Sequence, residues 1–111
     1  MSEGIRTVIY PVSDLARAKA AFSAVLGTAP AMDEPYYVQF NAGDQTIGLD
    51  PHGHKSGAVG YFHVSDIKGT LQALLGTGAE VDQDVKDVGG GRLIAAVKDP
   101  DGNLIGLLQD T

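Results

Sequence analysis

The sequence contains no cysteine, few basic residues and no long apolar run. The absence of cysteine excludes disulfides, thiolate metal sites and cysteine nucleophiles, and it fits a reducing compartment. No apolar run approaches the roughly 20 residues that cross a bilayer, and no basic segment leads into a hydrophobic stretch at the N-terminus, so we expect a cytoplasmic protein without a membrane partner. A net charge of −6, with only 8 Lys and Arg residues, argues against nucleic acid as a partner.

The residues that are present form an internal repeat. Three segments return in the second half, which are Val12–Leu15 as Val64–Ile67, Leu26–Thr28 as Leu75–Thr77, and Ile47–Leu49 as Ile105–Leu107. Solenoids need three or more copies, so two copies in 111 residues predict one pseudo-symmetric domain, 1–111. We place module one at 1–52, a glycine-containing linker at 51–57 and module two at 58–111. A chain this small exposes much of its surface, which favours pairing with a second copy.

Each module is predicted to contain a strand, a helix and three further strands. In the first module the strands are expected at 7–12, near 31, at 36–40 and at 45–49, and in the second at 59–64, 81–85, 92–98 and 104–108. Ser13 or Asp14 caps the first helix, which Gly27 ends. Ser65 or Asp66 caps the second helix. This helix is expected to end at 76–78, which contains two glycines.

Two segments that lead into the predicted helices, together with one turn, resemble those of a known family. The segments Tyr10–Leu15 and Phe62–Ile67, followed by Asp99-Pro100-Asp101-Gly102-Asn103 and a final strand, resemble the vicinal oxygen chelate superfamily of glyoxalases, bleomycin-resistance proteins and extradiol dioxygenases. The resemblance covers essentially the whole chain. It implies an α+β fold in which two βαβββ modules curl an eight-stranded mixed sheet into a cup, with helices outside and a cleft within. It also implies a homodimer.

Catalytic members of that family hold a divalent metal with His or Gln on each module's first strand and Glu on each last strand. In this sequence the corresponding positions are Thr7, Gly48, Val59 and Gly106. Glycine and valine side chains offer no lone pair to a metal, and a single threonine hydroxyl is a poor ligand. We therefore expect no metal at the family position and no cofactor.

Strand alternation predicts which side chains line the cleft. The expected ligand-binding residues are Thr7, Ile9, Gly48, Asp50, Val59, Tyr61, His63, Leu104, Gly106 and Leu108, joined by Thr46. The opposite parity is expected under the helices and comprises Val8, Tyr10, Ile47, Leu49, Phe62, Val64, Ile105 and Leu107. A mostly apolar cleft with a few polar groups is typical of a small-molecule pocket, and Tyr61 and His63 are its largest polar side chains.

Three functions remain open. The first is a metal-independent protein that binds a small apolar or aromatic molecule in the cleft. The second is a glyoxalase-like lyase or isomerase that uses acid–base chemistry of His63 and Asp50, or a displaced metal held by His52, His54 and Asp50. The third is a folded subunit that binds no ligand, because fold resemblance alone does not fix function.

Overall fold

The computed structural model describes residues 2–52 and 57–110, with side chains from residue 4 onward. Within these residues lie eight strands and two helices. They are β1 (Ser2–Pro11), α1 (Leu15–Leu26), β2 (Met32–Glu34), β3 (Tyr37–Ala42), β4 (Gln45–Asp50), β5 (Val59–Val64), α2 (Ile67–Leu75), β6 (Glu80–Asp87), β7 (Leu93–Lys98) and β8 (Leu104–Gln109). The predicted α+β class, with two βαβββ modules and eight strands in mixed pairing, is confirmed.

The chain divides into two compact units, residues 6–59 and residues 1–5 with 60–111. In the first unit the strand order is β2-β3-β4-β1, where β1 runs parallel to β4 and the other pairs are antiparallel. In the second unit the order is β5-β8-β7-β6, where β5 runs parallel to β8. The internal repeat of the sequence therefore corresponds to one strand topology used twice.

Aspartate caps both helices. The backbone N–H of Arg17 donates to Oδ1 of Asp14 at 3.0 Å, and the N–H of Gly69 donates to Oδ1 of Asp66 at 3.1 Å. The sequence had left Ser or Asp open at each start, and the structure selects the residue directly before the helix. Each carboxylate satisfies an N–H that has no partner within the helix.

The two helices end differently. Gly27 closes α1 in the left-handed region at φ 67°, with its N–H bonded to the carbonyl of Ser23. Gly76 follows α2 with right-handed geometry, and the left-handed residue is Gly78 at φ 102°. The predicted end of the helix at 76–78 is therefore confirmed. Of its two glycines, only Gly78 has the positive φ that favours glycine.

Each unit has its own hydrophobic core between its helix and its strands. In the first unit Val38, Phe40 and Leu49 are buried against Tyr10, Val12, Leu15, Ala18, Phe22, Leu26 and Ile47. In the second unit the core comprises Val64, Ile67, Leu71, Ala79, Ala95, Val97 and Leu107, with Phe62, Leu74, Leu75, Val85, Leu93 and Ile105 around it. The helix-facing parity predicted from alternation is confirmed for Tyr10, Ile47, Leu49, Phe62, Val64, Ile105 and Leu107.

Gln109 joins the end of β8 to the start of α2. Its Oε1 accepts a hydrogen bond from the backbone N–H of Ile67 at 2.7 Å. Together with Asp66, this amide oxygen satisfies the first turn of α2. Neither helix in the described ranges has both the length and the apolar character needed to cross a membrane.

Candidate functional site

The predicted site residues of the first unit lie on the strand face opposite α1. In the parallel pair of β1 and β4, Thr7 lies beside Thr46 and Ile9 lies beside Gly48. Their neighbours of opposite parity, Tyr10 and Leu49, belong to the core under α1. Thr7 is 3% exposed, so its hydroxyl is a buried polar group of this face.

Tyr37 of β3 covers Gly48. A Cβ added at Gly48 would lie 2.5 Å from Cδ1 of Ile9 and 2.8 Å from Cζ of Tyr37, and the tyrosine hydroxyl is nearer still. The tyrosine and the isoleucine therefore occupy the space into which a side chain at position 48 would project. Sequence reasoning missed Tyr37. The signal was its two-residue spacing from Gln39, which pairs with Gly48 once the β3–β4 hairpin is in register.

β3 makes this face more polar than the sequence predicted. Gln39 and Asn41 share the parity of Tyr37, and the Gln39 side-chain amide donates to Oδ1 of Asn41 at 3.0 Å. Strand alternation places these amides on the Gly48 face, where the prediction had considered only β1 and β4. These two amides add to the few polar groups expected on this face.

Asp50 has a structural partner in the chain segment that follows it. Its Oδ1 accepts a hydrogen bond from the backbone N–H of His52 at 2.8 Å, and its backbone carbonyl accepts from Val12. Such a side-chain bond two residues along the chain stabilises a turn. The predicted displaced metal site also includes His54. That residue is in the segment 53–56, which lies outside the described residues.

Tyr61 of β5 covers Gly106 in the second unit. The two residues are direct neighbours in the parallel pair of β5 and β8. A Cβ added at Gly106 would lie 2.7 Å from Cδ1 of Tyr61 and 2.8 Å from the carbonyl oxygen of Gly60. The aromatic ring therefore packs directly on the glycine backbone. As in the first unit, a tyrosine occupies the space beside the glycine of the last strand.

The remaining predicted residues have the expected strand positions. Leu108 is buried next to His63 in the pairing of β5 with β8, and Leu104 pairs with Lys98 of β7. Val59 opens β5 as a buried residue at the end of the first unit. These aliphatic side chains supply packing, and among the predicted residues of the second unit only Tyr61 and His63 carry polar side-chain groups.

His63 lies next to an ion pair that the sequence did not predict. Nε of Arg92 donates to Oδ1 of Asp110 at 2.7 Å, and Oδ2 of the same carboxylate lies 3.7 Å from Nδ1 of His63. The histidine side chain is 16% exposed, whereas the aspartate is half exposed. The three residues come from distant parts of the sequence, and only the pairing of β5, β8 and β7 brings them together.

The divalent metal chelate of the family does not fit these residues. Among the four ligand positions, Gly48, Val59 and Gly106 have no donor atom in their side chains, and Thr7 contributes one hydroxyl. The described part of the chain also holds no group of three or more His, Asp or Glu side chains placed to bind a metal. Structural and catalytic zinc sites use three or four protein ligands, which the four family positions do not provide.

Solved structures similar to this one share its fold over nearly the whole chain. Methylmalonyl-CoA epimerase from Mycobacterium tuberculosis has a TM-score of 0.77 at 19% identity, covering 99% of this chain and 89% of that chain. A superfamily member from Vibrio splendidus 12B01 has a TM-score of 0.71 at 20% identity, covering 94% and 97%. The Mn(II)-bound glyoxalase from Novosphingobium aromaticivorans has a TM-score of 0.74 at 21% identity, covering 98% of this chain and 39% of that chain.

The sequence comparison gives the family. No curated protein matches the chain. The family model described as the Glyoxalase/Bleomycin resistance protein/Dioxygenase superfamily matches residues 4–107. That range includes both modules and all four of the positions at which the family's metal ligands are expected. The chain belongs to the glyoxalase/bleomycin resistance protein/dioxygenase superfamily.

Proposed function

We propose that this protein binds a small apolar or aromatic molecule without using the divalent metal chelate of its superfamily. The observation that carries the proposal is the tyrosine over each last-strand glycine, Tyr37 on Gly48 and Tyr61 on Gly106. An aromatic ring in place of a carboxylate replaces a metal ligand with a surface that attracts flat apolar groups. The tyrosine hydroxyls add the small number of polar contacts that orient a ligand in such sites.

We place the ligand on the face of the second unit that carries Tyr61 and His63. Tyr61 is partly buried, and its ring rests on Gly106, so the ring is held by the protein before a ligand arrives. A preformed surface loses little conformational entropy on binding. His63 is the polar group two residues further along the same strand face, where it can hydrogen-bond to the ligand.

An enzyme of the lyase or isomerase type is the second candidate. Superfamily membership and the fold shared with an epimerase and a glyoxalase support it. The carboxylate beside His63 is Asp110, whereas Asp50 is bonded to the turn that follows β4. Acid–base chemistry in this chain would therefore use His63 with Asp110 rather than with Asp50. Turnover of a bound compound, absent from a His63→Ala variant, would favour this candidate.

A ligand screen tests the first candidate. Aromatic fragments are screened by thermal shift, and the hits are measured by calorimetry on the parent protein and on Tyr61→Ala. Loss of the ring should weaken binding by about 1 to 3 kcal/mol, because the ligand loses a buried aromatic contact. Tyr36→Ala is the matched control, since Tyr36 is 59% exposed and should leave affinity unchanged.

Two results would contradict the proposal. One is equal affinity of the parent and Tyr61→Ala for every confirmed fragment. The other is one tightly held divalent metal per chain in elemental analysis of the dialysed protein, lost when His63 or Asp50 is replaced. The second result would show a displaced metal site and would favour the enzyme.

A further inference from the structure

We propose that Asp110, anchored by Arg92, is a positioning residue that fixes the imidazole of His63 on the ligand-facing side of the second unit. The strand register places the three residues together. His63 pairs with Leu108 in the parallel pair of β5 and β8, and Asp110 follows Leu108 by two residues and shares its parity. Arg92 directly precedes Leu93, which pairs with Gln109 across β7 and β8. That His63 faces a ligand rests on the proposed function.

Each oxygen of the Asp110 carboxylate faces a different partner. Oδ1 accepts from Nε of Arg92 at 2.7 Å, which is the length of a strong charge-assisted hydrogen bond. Oδ2 lies 3.7 Å from Nδ1 of His63, which is within ion-pair range and longer than a hydrogen bond of about 3.2 Å. Because arginine stays charged at every working pH, it holds the carboxylate in one orientation.

This arrangement selects one tautomer of His63. A carboxylate accepts hydrogen bonds and does not donate them, so the ring nitrogen that faces it is favoured to carry a proton. In the neutral imidazole the proton therefore belongs on Nδ1. Partners of this kind determine the tautomer and orientation of functional histidines in general.

The glycine-rich segment before β7 delivers Arg92 to this position. Gly89, Gly90 and Gly91 all have positive φ, at 113°, 63° and 80°. The turn is closed by hydrogen bonds from the N–H of Val88 to the carbonyl of Arg92 at 2.9 Å and from the N–H of Arg92 to the carbonyl of Gly89 at 3.1 Å. Residues with side chains rarely adopt this backbone. The three glycines thus place a cation beside Asp110.

Ring-nitrogen NMR tests the proposal directly. Nitrogen-15 spectra of the histidine rings are recorded near pH 9, well above the ordinary histidine pKa of about 6.5, and His63 is assigned with His63→Gln. The parent protein should show mainly the Nδ1–H tautomer at His63. In Asp110→Ala and in the isosteric Asp110→Asn that preference should be lost, and in Arg92→Gln it should weaken. A substitution that only weakens the fold would not change which ring nitrogen of His63 carries the proton, as long as the protein remains folded.

Matched controls and the opposing result are available in the same chain. Asp101→Ala removes an exposed carboxylate from the 99–103 turn, and Arg17→Gln removes an exposed cation from α1, so both should leave the His63 signals unchanged. Unchanged His63 signals in Asp110→Ala, Asp110→Asn and Arg92→Gln would overturn the proposal. The NMR measurement needs no ligand, so its result does not depend on the ligand screen. In the same way, the ligand screen can succeed or fail whichever tautomer His63 adopts.

Discussion

At the residue scale, Gly106 and Gly48 are both covered by tyrosine but differ in what surrounds them. The position of a Cβ on Gly106 is 2.8 Å from the carbonyl oxygen of Gly60, which is part of the neighbouring strand. The atoms nearest to Gly48 are the ends of the Tyr37 and Ile9 side chains. A side chain can rotate away, whereas a paired strand can move only by breaking its ladder.

This difference predicts unequal costs for two identical substitutions. Gly106→Ala should lower the free energy of unfolding by about 1 to 3 kcal/mol, as expected when extra atoms are forced into a packed site. Gly48→Ala should cost clearly less, because Tyr37 and Ile9 can adjust. Urea unfolding of the two variants and the parent measures both values. An equal or larger loss in Gly48→Ala would show that the strand backbone at Gly60 is not the limiting contact.

The sequence predicted which residues share each strand face but not which of them touch. Alternation placed Tyr61 and Gly106 on one face correctly, because both lie in strands with a clear two-residue pattern. Tyr37 was not identified from the sequence, because its contact with Gly48 depends on the register of the β3–β4 hairpin. Register is set by the turn and by the burial of one face, and a single residue's shift would have turned Tyr37 to the other side.

At the element scale, the turn between β7 and β8 is organised by Asp99. Its Oδ1 accepts from the backbone N–H groups of Asp101 at 3.0 Å and Asn103 at 2.7 Å, and its Oδ2 accepts from the Asn103 side-chain amide at 3.0 Å. The hydrogen bond from the Asn103 side chain, followed by that from the Asn103 backbone, holds the pKa of Asp99 below its usual value of 3.8. Donors that favour the charged form lower the pKa of a carboxyl group.

The direction of this shift fixes its effect on stability. Because the pKa is lower in the folded state, ionised Asp99 stabilises the fold at pH values above 3.8, and that contribution is lost as pH falls through the lowered pKa. Asn103→Ala removes the largest cause, so the pKa of Asp99 should rise toward 3.8, and the pH-dependent contribution should become smaller and be lost completely at a higher pH. Carbon-13 titration of the carboxyl groups measures the change, with Asn41→Ala as a distant amide control. An unaltered Asp99 titration in Asn103→Ala would contradict it.

Helices were easier to predict than edge strands. The bounds of α1 and α2 follow from a cap, an apolar period and a glycine, which are local features of the sequence. β6 spans Glu80–Asp87 rather than the predicted 81–85, and β1 begins at Ser2 rather than at residue 7. β6 has little alternation because most of it is exposed, and its pairing with β7 rather than its own residues extends it.

At the scale of the whole molecule, we predict a homodimer that forms through the outer edges of the sheets. The outer strand of the first unit, β2, has three residues, and that of the second unit, β6, has two register shifts against β7. β6 also carries four carboxylates and one lysine. Charges and irregular pairing on an edge oppose strand addition by another chain, so we expect the dimer to depend on screening of these carboxylates.

Salt should therefore favour dimer formation if the acidic edges meet. Screening lengths fall from about 30 Å at 0.01 M salt to about 10 Å at 0.1 M, which weakens repulsion between exposed carboxylates. Sedimentation at micromolar concentration should show a dimer whose fraction rises with ionic strength. A species of 11.5 kDa at every salt concentration would reject the homodimer.

The association of His63, Arg92 and Asp110 shows what a whole fold adds to a sequence. The histidine was a candidate from alternation alone, but the arginine and aspartate had no local pattern that marked them. Arg92 and Asp110 are 18 residues apart and meet because β7 and β8 are antiparallel neighbours. Residues that function together through strand pairing can be found only after the order and register of the strands are known.

The packing of Tyr61 on Gly106 also predicts the outcome of placing a carboxylate at the family's ligand position. A glutamate introduced at position 106 would meet the ring of Tyr61 and the carbonyl of Gly60 before it could reach a metal. A carboxylate at this position therefore requires a smaller residue at position 61 as well. At Gly48 the nearest atoms are the ends of the Tyr37 and Ile9 side chains, which can rotate away. One substitution could therefore introduce a metal ligand at position 48, whereas position 106 requires two.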